Sequence, residues 1–117
     1  MDVIELNGGR FYLRPLHDDN RIDDRPALAQ ITDNPQEILT RARSSAKDYY
    51  WAICEQTRVD MVALAHFDGT IITTTPIGDP DRVLPNDPVL PAMTVQDAAD
   101  LGREVVARYI DRHNHSI

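Results

Sequence analysis

The pattern of hydrophobic and polar positions predicts three consecutive β-strands in the middle of the chain. Residues 48–55, 59–67 and 70–75 are rich in apolar, aromatic or β-branched side chains, which favour strands. Asp68-Gly69 separates the second segment from the third, and this dipeptide favours a two-residue hairpin turn. The first two segments are apolar on both alternating faces, so we expect them at the centre of a sheet that is covered on both sides.

A further hairpin is predicted at the start of the chain, over residues 2–16. Asn7-Gly8-Gly9 lies between two short apolar segments, and these residues tolerate the positive φ that a tight loop needs. Pro15 ends the second segment because proline cannot donate a hydrogen bond to a neighbouring strand. With these two strands, the expected antiparallel sheet has about five strands.

Three helices are predicted from caps and from apolar residues at helical spacing. Asp23 or Asp24 is expected to cap a short first helix, and Asn34 is expected to cap a second. Thr94 and Asp97 predict a capping box at the start of a third, longer helix. Its apolar stripe consists of Val95, Ala98, Leu101, Val105, Val106, Tyr109 and Ile110. Such a stripe is typical of a helix that packs one face on a sheet.

The chain length and the order of elements predict a single α+β domain over residues 1–117. We expect an antiparallel sheet of about five strands, covered by two short helices and a long C-terminal amphipathic helix. The segment 76–93 interrupts the regular pattern, because it holds five of the eight prolines together with several aspartates. A loop of this length in a small domain is often functional.

Composition restricts the classes of function. The formal net charge is −7, from 19 acidic and 12 basic residues, which argues against non-specific binding to nucleic acids or anionic membranes. There is no apolar run long enough for a membrane span, no signal peptide, and one cysteine, Cys54, which cannot form an internal disulfide. These features predict a cytoplasmic protein, and the acidic balance would suit a basic partner. Eleven of the twelve basic residues are Arg, which indicates a high-GC bacterium or one of its phages.

No catalytic motif occurs in the sequence, which has no G-x-S-x-G, no P-loop, no H-E-x-x-H and no pair of cysteines. Acids and bases are present at His17, Asp18, His66 and Tyr109, but no spacing brings them together. The acidic stretch over residues 17–25 lacks the register of a metal-binding loop. The sequence therefore predicts no catalytic residue, no metal site and no cofactor.

Parts of the sequence resemble the N-terminal half of the GNAT acetyltransferase fold. Residues 11–19, Phe-Tyr-Leu-Arg-Pro-Leu-His-Asp-Asp, are similar to the opening strand of that family and its LRP-x-x-x-D turn. Residues 50–55 and 61–65 are similar to its second and third strands. The predicted order of a strand, two helices, a three-strand meander and a helix also resembles this fold.

The resemblance implies a protein that binds acyl-coenzyme A, with or without acetyl transfer. The coenzyme A loop of that family, Gln/Arg-x-x-Gly-x-Gly/Ala, presents backbone N–H groups to phosphates at a helix start. In this register Asp97 stands in place of the Gln or Arg, Asp100 stands in place of the first Gly, and only Gly102 matches. The later strands of the fold do not follow, so the expectation is a truncated relative, and no catalytic residue is transferred to this chain.

The first hypothesis for function is a small, non-catalytic interaction or regulatory module that binds a protein partner or itself. The outer strand of the meander carries no charge, and an uncharged outer strand invites pairing with a second chain. The acidic loop over residues 76–93 offers a second surface. The candidate partner-binding residues are Thr70, Ile72, Thr74, Asp79, Asp81 and Asp87. Self-association into a homo-oligomer follows as an expectation.

Two alternatives remain at this point. One is the truncated GNAT-like protein, an acyl-CoA-binding protein or acetyltransferase. The other is a mimic of nucleic acid, in which Asp18, Asp19, Asp23, Asp24 and the loop acids imitate phosphates in front of a DNA-binding protein.

Overall fold

The computed structural model describes residues 1–85 and 89–115. Within this part of the chain, five strands and three helices follow one another. They are β1 (Leu6–Gly8), β2 (Phe11–Arg14), α1 (Arg25–Leu28), α2 (Pro35–Ser44), β3 (Tyr49–Glu55), β4 (Met61–Phe67), β5 (Ile72–Pro76) and α3 (Val95–His115). The predicted α+β fold class is confirmed, with two short helices and a long C-terminal helix around one sheet. No helix in these two ranges is long and apolar enough to cross a membrane.

The sheet is an antiparallel meander with the strand order β1-β2-β3-β4-β5. β3 lies at its centre, and β1 and β5 form its two edges. The register of β3 and β4 changes between two pairs, Ile53 with Ala63 and Cys54 with Met61. Val62 is therefore an extra residue on β4, and this bulge allows Val62 and Ala63 both to join the core on one face of the sheet.

That face is covered by α3. Trp51 and Ile53 of β3 are fully buried there against Val95 and Val106 of the helix. The helix approaches the sheet closely at Gly102, where an added Cβ atom would lie 2.3 Å from Ile53 Cδ1. Glycine at this position is therefore a packing requirement.

The opposite face is covered by α1 and α2. Leu28 of α1 and Leu39 of α2 are buried with Tyr50 and Ala52 of β3 and with Leu64 of β4. The sheet thus has a hydrophobic core on each side. This arrangement confirms the expectation that the apolar central strands are covered on both faces.

A buried ion pair joins β2 to the segment before α1. The guanidinium of Arg14 contacts the carboxylate of Asp24 through two hydrogen bonds of 2.8 and 2.9 Å, and the two side chains are 5% and 3% exposed. Asp24 also accepts a hydrogen bond from the backbone N–H of His17. Asp24 stands at the N-cap position of α1, but its carboxylate makes no capping bond, because it is turned towards Arg14. Asp24 therefore has the expected N-cap position without the bond of a cap, and Asp23, the other candidate, accepts a hydrogen bond from the N–H of Arg25, the first residue of α1.

The described parts of the segment 76–93 contribute to the core on the α3 side of the sheet. Leu84 is buried in the core under α3, and its N–H donates to the carbonyl of Met93 over 2.8 Å. Arg10, in the turn between β1 and β2, donates from its guanidinium to the carbonyl of Pro91. The described residues of this segment therefore contact both the core under α3 and the turn that precedes β2.

Candidate protein-interaction edge

Among the residues that the structure describes, β5 forms an edge of the sheet and pairs with β4 alone. Two backbone hydrogen bonds, one at each end of the strand, fix its orientation. The N–H of Ile77 donates to the carbonyl of Val62 over 2.9 Å, and the N–H of Asp68 donates to the carbonyl of Ile71 over 3.2 Å. In an antiparallel pair the residues alternate between bonding to the neighbour and facing away from it. The odd-numbered residues from 71 to 77 therefore bond towards β4, and the even-numbered residues face outwards.

The outward side of Ile72–Pro76, which we name the β5 edge, presents backbone groups to its surroundings. Ile72 and Thr74 each direct an N–H and a carbonyl away from β4, and Pro76 adds a carbonyl only. No charged residue lies between Asp68 and Asp79, and the register of β4 and β5 contains no bulge. Charged side chains, prolines and bulges are the usual devices that prevent an edge from pairing, and here only Pro76, at the end of the strand, is of this kind.

The opposite edge of the sheet offers much less. β1 is three residues long, and it ends in the turn to β2 at Gly9, whose φ is 79°. The side chain of Gln56 donates to Asn7 Oδ1 and to the carbonyl of Gly9, which holds this turn against β3. The segment before β1 is also fixed, since Trp51 Nε1 donates to the carbonyl of Ile4. The β5 edge is the longer of the two.

On the α3 side of the sheet, an apolar row runs directly to the β5 edge. Tyr49, Phe67 and Ile72 lie opposite one another on β3, β4 and β5, and we name these three residues the apolar row. The rings of Tyr49 and Phe67 are stacked with centroids 5.9 Å apart. All three side chains are only half-buried, and the neighbouring Ile71 is 59% exposed. A strand placed beside β5 would extend this row and cover its exposed end.

On the other side of the sheet, the corresponding row is polar. Tyr50 and His66 are stacked with centroids 4.2 Å apart, and Thr73 follows on β5. His66 Nε2 lies 2.7 Å from Asp48 Oδ1, and Ser45 Oγ donates to the second oxygen of Asp48. The hydrogen bond with His66, followed by that from Ser45, lowers the pKa of Asp48 below its ordinary value.

The cluster of Ser45, Asp48 and His66 joins the end of α2 to β3 and β4. It does not have the arrangement of a catalytic triad. In a Ser-His-Asp triad the serine bonds to the imidazole, whereas Ser45 bonds to the carboxylate of Asp48. The cluster was missed at the sequence level because residues 48 and 66 meet only through the pairing of β3 with β4. We assign it a structural role beside the β5 edge.

The structure brings three of the six candidate partner-binding residues together. Ile72 and Thr74 are outward-facing residues of the β5 edge, and Thr70 lies in the preceding turn, where its N–H donates to the carboxylate of Asp68. Asp79 and Asp81 lie beyond the other end of the strand. There the N–H of Asp81 donates to Asp79 Oδ1. Asp87 lies outside the residues that the structure describes.

The start of α3 is the place where the resemblance to the GNAT fold would put the phosphates of coenzyme A. The first four N–H groups of the helix are already bonded within the chain. They are Val95 to the carbonyl of Arg82, Gln96 to that of Pro80, Asp97 to Thr94 Oγ1 and Ala98 to the carbonyl of Thr94. The predicted capping box is present, since Asp97 in turn accepts from the N–H of Thr94. A phosphate at this helix end would have to replace these bonds.

In the described ranges, no group of three or more His, Cys, Asp or Glu side chains is arranged to hold a metal ion. Comparison with protein-family models, with curated proteins and with solved structures gave no match to this chain.

Proposed function

We propose that this protein is a small, non-catalytic interaction module that accepts an extended strand of a partner protein, or of a second copy, on the β5 edge. The observation that carries the proposal is the outward orientation of the backbone groups of Ile72 and Thr74 on an uncharged edge. Addition of a strand to an exposed sheet edge is a general mode of peptide recognition. A regulatory role in the cytoplasm of a high-GC bacterium or phage-infected cell belongs to the same proposal.

Main-chain hydrogen bonds to Ile72 and Thr74 would supply affinity without selecting a sequence. Selectivity would come from the two faces of the added strand. Its side chain opposite Ile72 would meet the apolar row, and the next side chain, on the other face, would meet Thr73. The net charge of −7 would speed the approach of a basic partner, chiefly through the association rate.

The proposal is tested with peptides selected from a random displayed library against the purified protein. We expect the selected peptides to shift the amide resonances of Ile72 and Thr74 in heteronuclear NMR spectra and to slow their hydrogen exchange. Thr74→Pro removes one outward N–H and should weaken binding about tenfold, or ~1.4 kcal/mol. Thr75→Val is the matched control, because the backbone of Thr75 faces β4. Peptides that shift other amides and bind Thr74→Pro with unchanged affinity would contradict the proposal.

A truncated GNAT-like acyl-CoA-binding protein is the alternative, and it is favoured by the order of a hairpin, two helices, a three-strand meander and a helix. A thermal melt with and without excess acetyl-coenzyme A tests it. Ligand at a hundred times its dissociation constant adds about 2.7 kcal/mol to the free energy of unfolding, which shifts the melting temperature visibly. We expect no shift, because the first N–H groups of α3 already have partners.

A further inference from the structure

We infer that the strand which the β5 edge accepts is β5 of a second copy of this chain, in an antiparallel register centred on Ile72. This inference rests on the proposed function, and it names the partner and the register. The resulting dimer would contain one continuous sheet built from the two five-stranded sheets.

The backbone of the β5 edge is complementary to itself. Ile72 directs both an N–H and a carbonyl outwards, so two copies related by a two-fold axis at Ile72 exchange two hydrogen bonds between these residues. In the same register each Thr74 N–H faces position 70 of the other copy. A two-fold contact of this kind uses the same surface on both partners.

The apolar row selects this register among the possible ones. With the axis at Ile72, the rows of Tyr49, Phe67 and Ile72 from both copies join into one uninterrupted row across the contact. With the axis at Thr73, Ile72 would meet Thr74 of the second copy. With the axis at Thr74, it would meet Pro76, which has no N–H to return. Directly opposed apolar side chains stabilise a strand pair, so the Ile72 register is favoured.

No like charges face each other across the proposed contact between the two β5 strands. The nearest ionisable residues along the strand are Asp68 and Asp79. In the Ile72 register, Asp68 faces Pro76 of the second copy, so no two carboxylates are opposed within the pair of strands.

Cysteine substitution tests the register. Residues opposed in a hydrogen-bonded antiparallel pair have Cα atoms about 5.5 Å apart, which is within disulfide range. We expect Ile72→Cys to form a covalent dimer under mild oxidation. Thr74→Cys is the matched control, because the two copies of residue 74 would be about 13 Å apart along the strands. The native Cys54 stays silent, since it is fully buried and burial raises the pKa of its thiol to about 11. A covalent dimer of Thr74→Cys and none of Ile72→Cys would overturn the register.

Sedimentation of the protein without added cysteines tests the dimer itself. We expect a dimer whose population falls on dilution, and we expect Ile72→Lys to be monomeric at every concentration. Ile4→Lys is the control, because Ile4 is 49% exposed and lies two residues before β1, the opposite edge of the sheet, so this variant should remain dimeric. A monomeric wild-type protein would overturn the inference. If library peptides still bound the β5 edge of that monomer, the interaction module would stand without self-pairing.

Discussion

Arg14 and Asp24 place two opposite charges inside the protein, where each depends on the other. Burial disfavours the charged guanidinium, but the hydrogen bonds to Asp24 and the electrostatic attraction of neighbouring groups together outweigh this and raise the pKa of Arg14. Arg14 Nε has no hydrogen-bond partner among the described residues. The pair is therefore satisfied at the outer nitrogens only, and removal of the carboxylate would leave a buried, uncompensated cation.

We predict that Asp24→Ala lowers the free energy of unfolding by about 3–5 kcal/mol, the usual cost of breaking a buried ion pair from one side. Asp23→Ala is the control, because Asp23 pairs with Arg25 at the surface, where screening by solvent leaves an ion pair with little effect on stability. Urea denaturation measures both variants. Equal midpoints for the two variants would show that the Arg14–Asp24 pair contributes no more than a surface contact.

A second prediction concerns the pH dependence of the Asp48–His66 contact. Because the pKa of Asp48 is lowered in the folded protein, its carboxylate adds stability above the unfolded-state pKa, and this stability is lost as pH falls through the folded pKa. His66→Ala should raise the pKa of Asp48 towards the ordinary value of about 3.9 and move the onset of acid unfolding to higher pH. NMR titration of the Asp48 carboxyl group measures this. An unchanged titration would assign the lowered pKa to Ser45 instead.

These two contacts mark what the sequence could not predict at the residue scale. Asp24 precedes a helix and has the chemistry of a cap, so local rules assign it to α1. Asp24 binds Arg14 because β2 lies next to the segment before α1. This neighbourhood cannot be predicted from the sequence around Asp24. The same holds for Asp48 and His66, which are brought together by a strand pairing eighteen positions apart.

Elements were predictable where their signals are local. The Thr94–Asp97 capping box and the Asn34 cap of α2 appear in the structure, since each depends on residues within one turn of chain. The turn predicted at Asp68-Gly69 lies one residue later, at Gly69-Thr70, because the N–H of Asp68 donates to the carbonyl of Ile71. The bulge at Val62 was not predictable, because it is defined by the register against β3. The candidate edge was predictable in part: the uncharged strand could be identified, but its exposure depends on the strand order.

Helix α3 provides a prediction at the scale of elements. Gly102→Ala improves helix propensity by roughly 1 kcal/mol, yet its Cβ would meet Ile53 Cδ1 at 2.3 Å in a buried site. Overpacking of this kind costs about 1–3 kcal/mol, so we expect a net loss of stability. Ile53→Val removes the clashing methyl group, and the double variant should lose less than the sum of the single variants. Thermal denaturation of all four proteins measures the coupling, and simple additivity would contradict the close approach.

At the scale of the whole molecule, the two cores account for the position of the interaction edge. α3 covers one face of the sheet and α1 with α2 cover the other, so β3 and β4 are enclosed. The helices cover the two faces of the sheet but not its two edges. At one of these edges, the outer side of β5 has no neighbouring strand among the described residues. The interaction surface that we propose is therefore the backbone of a strand, with its side chains in a secondary role.

The whole-molecule charge gives a prediction for the proposed dimer. Each copy has a net charge of −7, while the contact itself is uncharged, so long-range repulsion should weaken association at low salt. Raising the salt concentration from about 0.05 M to about 0.5 M should tighten the dimer by roughly threefold to tenfold. Sedimentation equilibrium at the two concentrations measures the change. Weaker association at high salt would indicate ion pairs across the contact.

The difference between the two edges also limits how large an assembly can become. A two-fold contact at β5 consumes that edge in both copies, and β1, with three residues and a turn held by Gln56, gives further chains little to add to. Association would then stop at the dimer, because the dimer has no long exposed edge on which further copies could polymerise into fibrils. A strand that would seed aggregation in an isolated chain is, in the pair, part of the interior.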